Sequence, residues 1–344
     1  MYGKKIKYYR FKKGLTIEEL ANQVGLTKAA ISQYENDKRD PDENNLKKIA
    51  DALGVTWIHL SPNKHQNMTF QHNSFRKLQK TKAMDIMLLK MYIEKRCVDE
   101  VSLSNILDKY DDAFIKFKKL STHNDIEYNA SEIRKALSFP LQGPIYQITT
   151  TLEDLGIVVL SFSSPKEISG LNGLVGNRPY IYFNSDSTIE RQRFTLIHEI
   201  CHLFFKEEDT KEFEKYINAL TGHVLISNND LYKEFGKSNH NINIYLRNSV
   251  ASKYKIAPSC LVTRLYESNI VSETYYKNFF KTLNSTFGRK NEPSLLKESK
   301  DSEQPTKFSN NVYLALSEEL ITTSKAAELL DVPLYDVMRN AQLI

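Results

Sequence analysis

The 344-residue sequence contains only three cysteines, and its acidic and basic residues nearly balance. Cys97, Cys201 and Cys260 lie far apart and form no C-x-x-C pair, which argues against a disulfide framework and a cysteine-based zinc site. The net charge of +5 is too small for nucleic-acid binding to be inferred from composition alone. Evidence for function therefore has to come from motifs.

Long apolar runs are also missing from the sequence. No segment approaches the roughly 18 consecutive apolar residues that a membrane span needs, and the charged start MYGKKIKYYRFKKG has no apolar stretch behind it. With 41% hydrophobic and 26% charged residues the composition is that of a globular protein. We expect a cytoplasmic protein of two or three domains, each with its own core.

Residues 1–60 contain short helical patterns separated by turn signals. Thr16 and Glu19 predict a capping box at the start of one helix, and Gly25 is expected to end it. Thr27 can cap the next helix, over TKAAISQYEN. A helix, a tight turn and a second helix with short polar residues on its exposed face are typical of the helix-turn-helix motif.

The second of these helices is the predicted DNA-reading helix. Gln33 is suited to adenine, Lys28 to guanine and Ala29 to the methyl group of thymine, whereas the loop after the helix would contact phosphates. A module used only for dimerisation or peptide docking is the alternative. The residues expected to contact DNA are Thr27, Lys28, Ala29, Ser32, Gln33, Lys38 and Arg39.

The stretch RQRFTLIHEICHLFFKEED, residues 191–209, carries the strongest chemical signal. On a helix starting near Ser187, His198 and His202 lie four residues apart and can reach one metal ion at about 2.0–2.1 Å. In the H-E-x-x-H motif, the position of Glu199 holds the general base. A core helix with two satisfied histidines is the alternative, but burying three ionisable groups without partners would cost several kcal/mol, which a metal removes.

A zinc hydrolase needs a third protein ligand and an open fourth position. Helical phase places both Glu212 and Glu214 beside the apolar stripe of the following helix, so phase alone does not decide between them. The downstream candidates are Glu207, Glu208, Asp209, Glu212, Glu214 and His223.

These motifs resemble two known families. RQRFTLIHEICHLFF, followed by Glu214-x-x-x-Asn218 and LTGHVLIS, is similar to the ImmA/IrrE family of metallo-endopeptidases, and LTIEELANQVGLTKAAISQYENDKRDP resembles the Cro/C1-type (XRE) helix-turn-helix. The resemblance covers residues 3–60 and 130–270. Ser227 stands where the family usually has proline, and Tyr216-Ile217 replaces the more usual Glu-Ala.

The resemblance implies a ligand set and an activity. His198, His202 and Glu214 would bind one Zn²⁺ per chain, and Glu199 would serve as the catalytic base. Members of the family cleave DNA-binding repressors in mobile elements and stress responses. We therefore expect a DNA-binding zinc-dependent endopeptidase that regulates transcription by cutting a repressor or an antitoxin-type partner. The alternative is a non-cleaving transcription regulator or antitoxin-like protein whose metallopeptidase-like domain senses a ligand or binds a partner.

The expected fold class is α+β and mostly helical: a five-helix N-terminal domain, a zincin-like domain with a small antiparallel sheet, and a helical C-terminal region. The segment PYIYFN is expected to bind the substrate backbone by strand addition, and a homodimer is expected on the DNA operator. Thr323 would cap a late helix in a second helix-turn-helix unit or a plain helical pair.

The predicted boundaries are 1–60 for the DNA-binding domain, 61–75 for a linker, 76–235 for the metallopeptidase domain (core 130–230), 236–288 for a helix-turn-helix-like subdomain, 289–308 for a flexible linker and 309–344 for a helical C-terminal unit.

Overall fold

Helices make up most of the structure, as the sequence predicts. The computed structural model describes residues 2–61, 68–72, 83–108, 117–206, 210–238, 241–288, 291–296 and 303–341. Within them the chain divides into two compact units, the first drawn from 1–71, 75–112 and 306–344 and the second from 72–74 and 113–305. None of the helices in these described ranges is long and apolar enough to cross a membrane.

The first unit begins with the predicted five-helix domain. The Thr16 side chain accepts a hydrogen bond from the Glu19 amide and completes the capping box, and Gly25 ends the helix with a left-handed φ of 68°. Thr27 caps the next helix by accepting from the Ala30 amide. The helices are α1 (Gly3–Lys12), α2 (Ile17–Val24), α3 (Lys28–Glu35), α4 (Glu43–Leu53) and α5 (Trp57–Leu60).

A buried ion pair connects α1 to α3 in this domain. The Arg10 guanidinium donates from Nε to Glu35 Oε1 at 2.5 Å and from Nη2 to Glu35 Oε2 at 2.8 Å, and both side chains are almost fully buried. The two hydrogen bonds of this bidentate pair allow each charge to compensate the other where water is excluded. Loss of either partner would leave a buried charge uncompensated, at a cost of about 3–5 kcal/mol.

The first unit also contains α6 (Ala83–Ile106), α15 (Lys307–Ser317), α16 (Thr323–Leu330) and α17 (Leu334–Ala341). Leu103 of α6 is buried in one cluster with Val312 and Ala326, so apolar packing places α6 here, whereas its sequence position suggested the metallopeptidase domain. The cap of α16 is Thr322, whose side chain accepts from the Lys325 amide, one residue before the predicted Thr323.

The second unit combines a small sheet with a helical body. Its helices are α7 (Ile126–Ala136), α8 (Ile148–Asp154), α9 (Ile189–His202), α10 (Lys211–Leu225), α11 (Asn228–Phe235), α12 (Ile244–Tyr254), α13 (Pro258–Glu267) and α14 (Glu273–Phe287). Its strands are β2 (Val158–Phe162), β3 (Gly170–Val175) and β4 (Arg178–Asn184), and the short strand β1 (Phe70–His72) precedes them in the chain.

The sheet is mixed, whereas the sequence suggested an antiparallel one. Within the second unit the strand order is β3-β4-β2. β3 and β4 form an antiparallel hairpin with Gly170 opposite Phe183, and β2 runs parallel to β4 with Val158 opposite Tyr180. Because β4 has a neighbour on each side, its backbone groups are already paired, and the prediction of strand addition to PYIYFN is wrong.

Two segments expected to be linkers have structure where they are described. β1 lies within the predicted linker 61–75, of which 62–67 and 73–75 are outside the described residues. In the predicted flexible linker 289–308, residues 289–290 and 297–302 are outside them. The described parts, 291–296 and 303–305, form hydrogen bonds with the helical body, and α15 already begins at Lys307. The charged composition was misleading here because Glu303 is a buried ion-pair partner rather than a solvated residue.

Candidate metal centre

The helix α9 is held in the second unit by its apolar residues. Leu196, Ile197 and Ile200 are fully buried in the main core, between α10 on one side and β3 and β4 on the other. His198 and His202 lie on a face that is only half-buried, and both point their Nε2 atoms toward Glu214 in the first turn of α10. The packing of α9 against α10 therefore brings three potential metal ligands together.

The distances among these three side chains match a zinc coordination shell. The two Nε2 atoms of His198 and His202 are 3.3 Å apart, and the Glu214 carboxylate oxygens lie 3.7 Å from the first and 3.5 Å from the second. Tetrahedral bonds of about 2.0–2.1 Å place neighbouring ligand atoms about 3.4 Å apart. Two imidazoles and a carboxylate are also a donor set that catalytic zinc sites use, so these residues fit the metal.

Aromatic rings form the walls of the site. Phe194 stacks on His198 with ring centroids 6.3 Å apart, and Phe213 meets His202 edge-on at 5.7 Å. The side chains of His198, His202 and Glu214 keep 16%, 10% and 27% of their surface exposed. The rings limit the rotation of the imidazoles, while the partial exposure leaves an approach for a further ligand.

Glu199 is more deeply buried than the histidines beside it, with 6% of its surface exposed. Asn172, on β3, donates from Nδ2 to Glu199 Oε2 at 2.6 Å. The strand can approach this closely because it has glycine at position 170, where a Cβ atom would overlap Thr195 and lie 3.2 Å from Glu199 Cγ. Asn172 was not predicted from the sequence, although a lone amide in the apolar strand GLNGLV is a signal for a buried polar contact.

The other candidates for the third ligand are placed differently. Glu212 is exposed, and Glu207–Asp209 lie outside the described residues. His223 lies near the far end of α10, where its Nδ1 is hydrogen-bonded to Glu127. Among the described residues, Glu214 is the carboxylate grouped with the two histidines.

Tyr216 and His223 of α10, the remaining polar candidates for stabilising an oxyanion, both have structural partners. Tyr216 Oη accepts a hydrogen bond from Asn129 Nδ2 at 2.6 Å. His223 lies between Glu127 and Glu267 in a network that also includes Arg264. The hydrogen bonds described for each side chain therefore link α10 to neighbouring helices.

Cys201 lies between the motif residues but faces the core. Burial raises the pKa of its thiol to about 12, against a smaller opposing effect of a hydrogen bond with Thr221. A thiolate is therefore disfavoured, and only nitrogen and oxygen donors remain at the site.

The predicted DNA-reading residues lie on the outer face of the first unit. Ile31 and Tyr34 of α3 are buried, so the opposite face of this helix is turned outward. Lys28 is paired with Glu18 at 3.2 Å, but both side chains are 66% exposed, so DNA phosphates or bases can compete for the lysine at little cost. Thr27, Lys28, Ala29, Gln33, Lys38 and Arg39 are exposed, and Ser32 is half-buried.

Fold and site together define a chain with a helix-turn-helix domain and a metallopeptidase-type domain. Comparison with known families agrees with both. Residues 6–60 match the helix-turn-helix family model, and residues 152–266 match the peptidase family described as the IrrE N-terminal-like domain. The protein therefore combines an XRE-type helix-turn-helix domain with an IrrE/ImmA-like peptidase domain, the fusion that the sequence motifs resemble.

Two curated relatives match part of the chain, and both are from Bacillus subtilis (strain 168). The SPbeta prophage-derived uncharacterized HTH-type transcriptional regulator YonR is 32% identical over 65 residues, which are 19% of this chain and 60% of the relative. The uncharacterized HTH-type transcriptional regulator YqaE is 31% identical over 71 residues, 21% of this chain and 61% of the relative. The chain spans about three fifths of the length of these relatives.

If the three donors hold a metal, Glu214→Gln should weaken zinc binding by at least about 100-fold, because a neutral amide replaces an anionic ligand. Competition with a chromogenic chelator measures the change. Glu212→Gln, an exposed glutamate two residues earlier on the same helix, is the matched control and should bind zinc like the wild type. Full-affinity stoichiometric zinc in Glu214→Gln would show that the third ligand lies elsewhere.

Proposed function

We propose that this protein is a DNA-binding, zinc-dependent endopeptidase that regulates transcription by cleaving a repressor or an antitoxin-type partner. The observation that carries the proposal is the position of Glu199. Its carboxylate is buried and hydrogen-bonded by Asn172, immediately beside the first of three side chains with zinc-ligand spacing. A purely structural metal site has no need of a buried carboxylate next to its ligands.

The proposed chemistry assigns a separate task to each residue. His198, His202 and Glu214 would hold a zinc ion, which would act as a Lewis acid, lowering the pKa of water and polarising a peptide carbonyl. Glu199 accepts the proton of the attacking water and then returns it to the leaving amine. Asn172 donates to Glu199 Oε2 and thereby holds the carboxylate in place beside the metal-ligating residues.

The helix-turn-helix domain supports a regulatory substrate. A peptidase bound at an operator would have a raised effective concentration toward proteins bound at or near the same DNA. The prophage origin of one relative agrees with a role in a mobile element, and stress-response or toxin–antitoxin control are related settings. We infer that the protein acts in the cytoplasm as a homodimer on a two-fold symmetric operator.

The peptidase proposal is tested by co-expressing wild type and Glu199→Gln with candidate repressors and antitoxins. Wild type should cleave one partner in a chelator-sensitive reaction, whereas Glu199→Gln should be slower by about 100- to 10,000-fold because it has no proton acceptor. Both forms should retain zinc, since Glu199 is not a ligand. Glu212→Gln is the matched control and should cleave like the wild type.

The alternative is a non-cleaving regulator that uses the same domain to sense a ligand or bind a partner. The names of the two relatives favour a regulatory role of some kind, since both are called transcriptional regulators. If zinc-loaded wild type leaves every partner intact but binds one of them, and Glu199→Gln binds it equally well, the alternative replaces the peptidase proposal.

The DNA contacts are tested separately. Gln33→Ala and Lys28→Ala should each cost about 1–3 kcal/mol of binding to the selected operator and relax preference at one base pair. Binding-site selection followed by titration measures both effects. Lys47→Ala, an exposed lysine of α4 away from the reading helix, should leave sequence preference unchanged. An identical selected sequence in all three variants would count against α3 as the reading helix.

A further inference from the structure

The segment that connects α14 to α15 binds the helix that carries the metal motif. Glu190, in the first turn of α9, is almost fully buried. Its carboxylate accepts hydrogen bonds from Ser294 Oγ at 2.8 Å, from the Leu295 amide at 2.7 Å and from the Leu296 amide at 3.3 Å. The three donors satisfy a carboxylate that has no access to water.

One turn further along α9, Arg193 binds the same connecting segment at a second point. Arg193 is fully buried and forms an ion pair with Glu303, which is 110 residues away in sequence. The guanidinium also donates to the backbone oxygens of Ile145 at 2.6 Å and Lys255 at 3.1 Å. The Glu303 carboxylate in turn accepts from the Thr149 amide at 3.0 Å.

These contacts do not involve the metal-ligating side chains. At 100° per residue, the face of α9 that carries Glu190 and Arg193 points roughly 130° away from the face of His198 and His202. The connecting segment can therefore affect the site only by fixing the rotation and position of the helix. Metal binding is sensitive to both, because ligand distances must agree to about 0.2 Å.

A buried charge without a partner is unstable, so these contacts constrain the position of α9 strongly. Glu190 and Arg193 carry opposite charges, and either one would be strongly destabilised if its partners left while the helix stayed in place. When the connecting segment is released, these groups lose the contacts that hold α9 in one rotation and position, and the helix is free to shift. A shift would carry His198 and His202 away from Glu214, which belongs to α10.

We propose that Glu190 and Arg193 are positioning residues, and that residues 294–296 and Glu303 couple the connecting segment to the affinity of the metal site. This inference rests on the proposed function only for the presence of a metal. It predicts that release of the segment, by mutation or by a partner that competes for it, lowers zinc affinity and thereby peptidase activity.

The test measures zinc affinity in Glu190→Gln and Glu303→Gln by chelator competition with the full-length protein, well below the melting temperature of each variant. Each should bind zinc about tenfold more weakly than wild type. The visible spectrum of the cobalt-loaded protein should change in both, because it reports ligand geometry. Glu292→Gln is the matched control, since this glutamate lies in the same segment but binds Ser259 of α13. It should lower the melting temperature without changing zinc affinity.

Unchanged zinc affinity and cobalt spectra in folded Glu190→Gln and Glu303→Gln would overturn the inference while leaving the peptidase proposal intact. An equal loss in Glu292→Gln would also overturn it, because the effect would then be one of general stability. If Glu303→Gln does not fold, Glu190→Gln alone decides. A wild type that binds no zinc would remove the metal site and this inference with it.

Discussion

A charged side chain that is buried away from water needs a partner, and α9 carries three buried charged side chains. Glu190 receives backbone amides of the connecting segment, Arg193 meets Glu303, and Glu199 receives the Asn172 amide. The first two sets of partners come from the connecting segment, and the third comes from β3. Contacts with a strand, with loops and with a segment far along the chain therefore fix the position of α9. The position of α9 in turn fixes the two metal-ligating histidines that it carries.

The candidate site combines rigidity with access. Buried apolar residues hold α9 against the sheet and α10, whereas His198, His202 and Glu214 remain partly exposed on the opposite face. Fixed ligands allow metal binding without a large ordering cost, and partial exposure allows a protein substrate to approach. A site placed in this way can be controlled through the position of its helix without any change in the ligands themselves.

Local signals in the sequence predicted local structure well. The capping box at Thr16, the left-handed Gly25 and the mostly helical fold with a small sheet all follow from residues that are neighbours along the chain. Long-range partners were harder to predict. The residues next to Asn172 and Glu303 in sequence do not indicate which distant residue each of them contacts. A charged stretch such as 289–308 has the same composition whether its carboxylates are solvated or paired inside a core. The parallel pairing of β2 was missed for the same reason, since strand order depends on tertiary contacts.

The central claim is that two imidazoles and one carboxylate hold a zinc ion on α9 and α10. X-ray absorption at the zinc edge of the metal-loaded protein tests it most directly. The account predicts a first shell of nitrogen and oxygen at about 2.0–2.1 Å with the outer-shell scattering of two imidazoles. A sulfur shell at about 2.3 Å, or a shell without histidine, would contradict it.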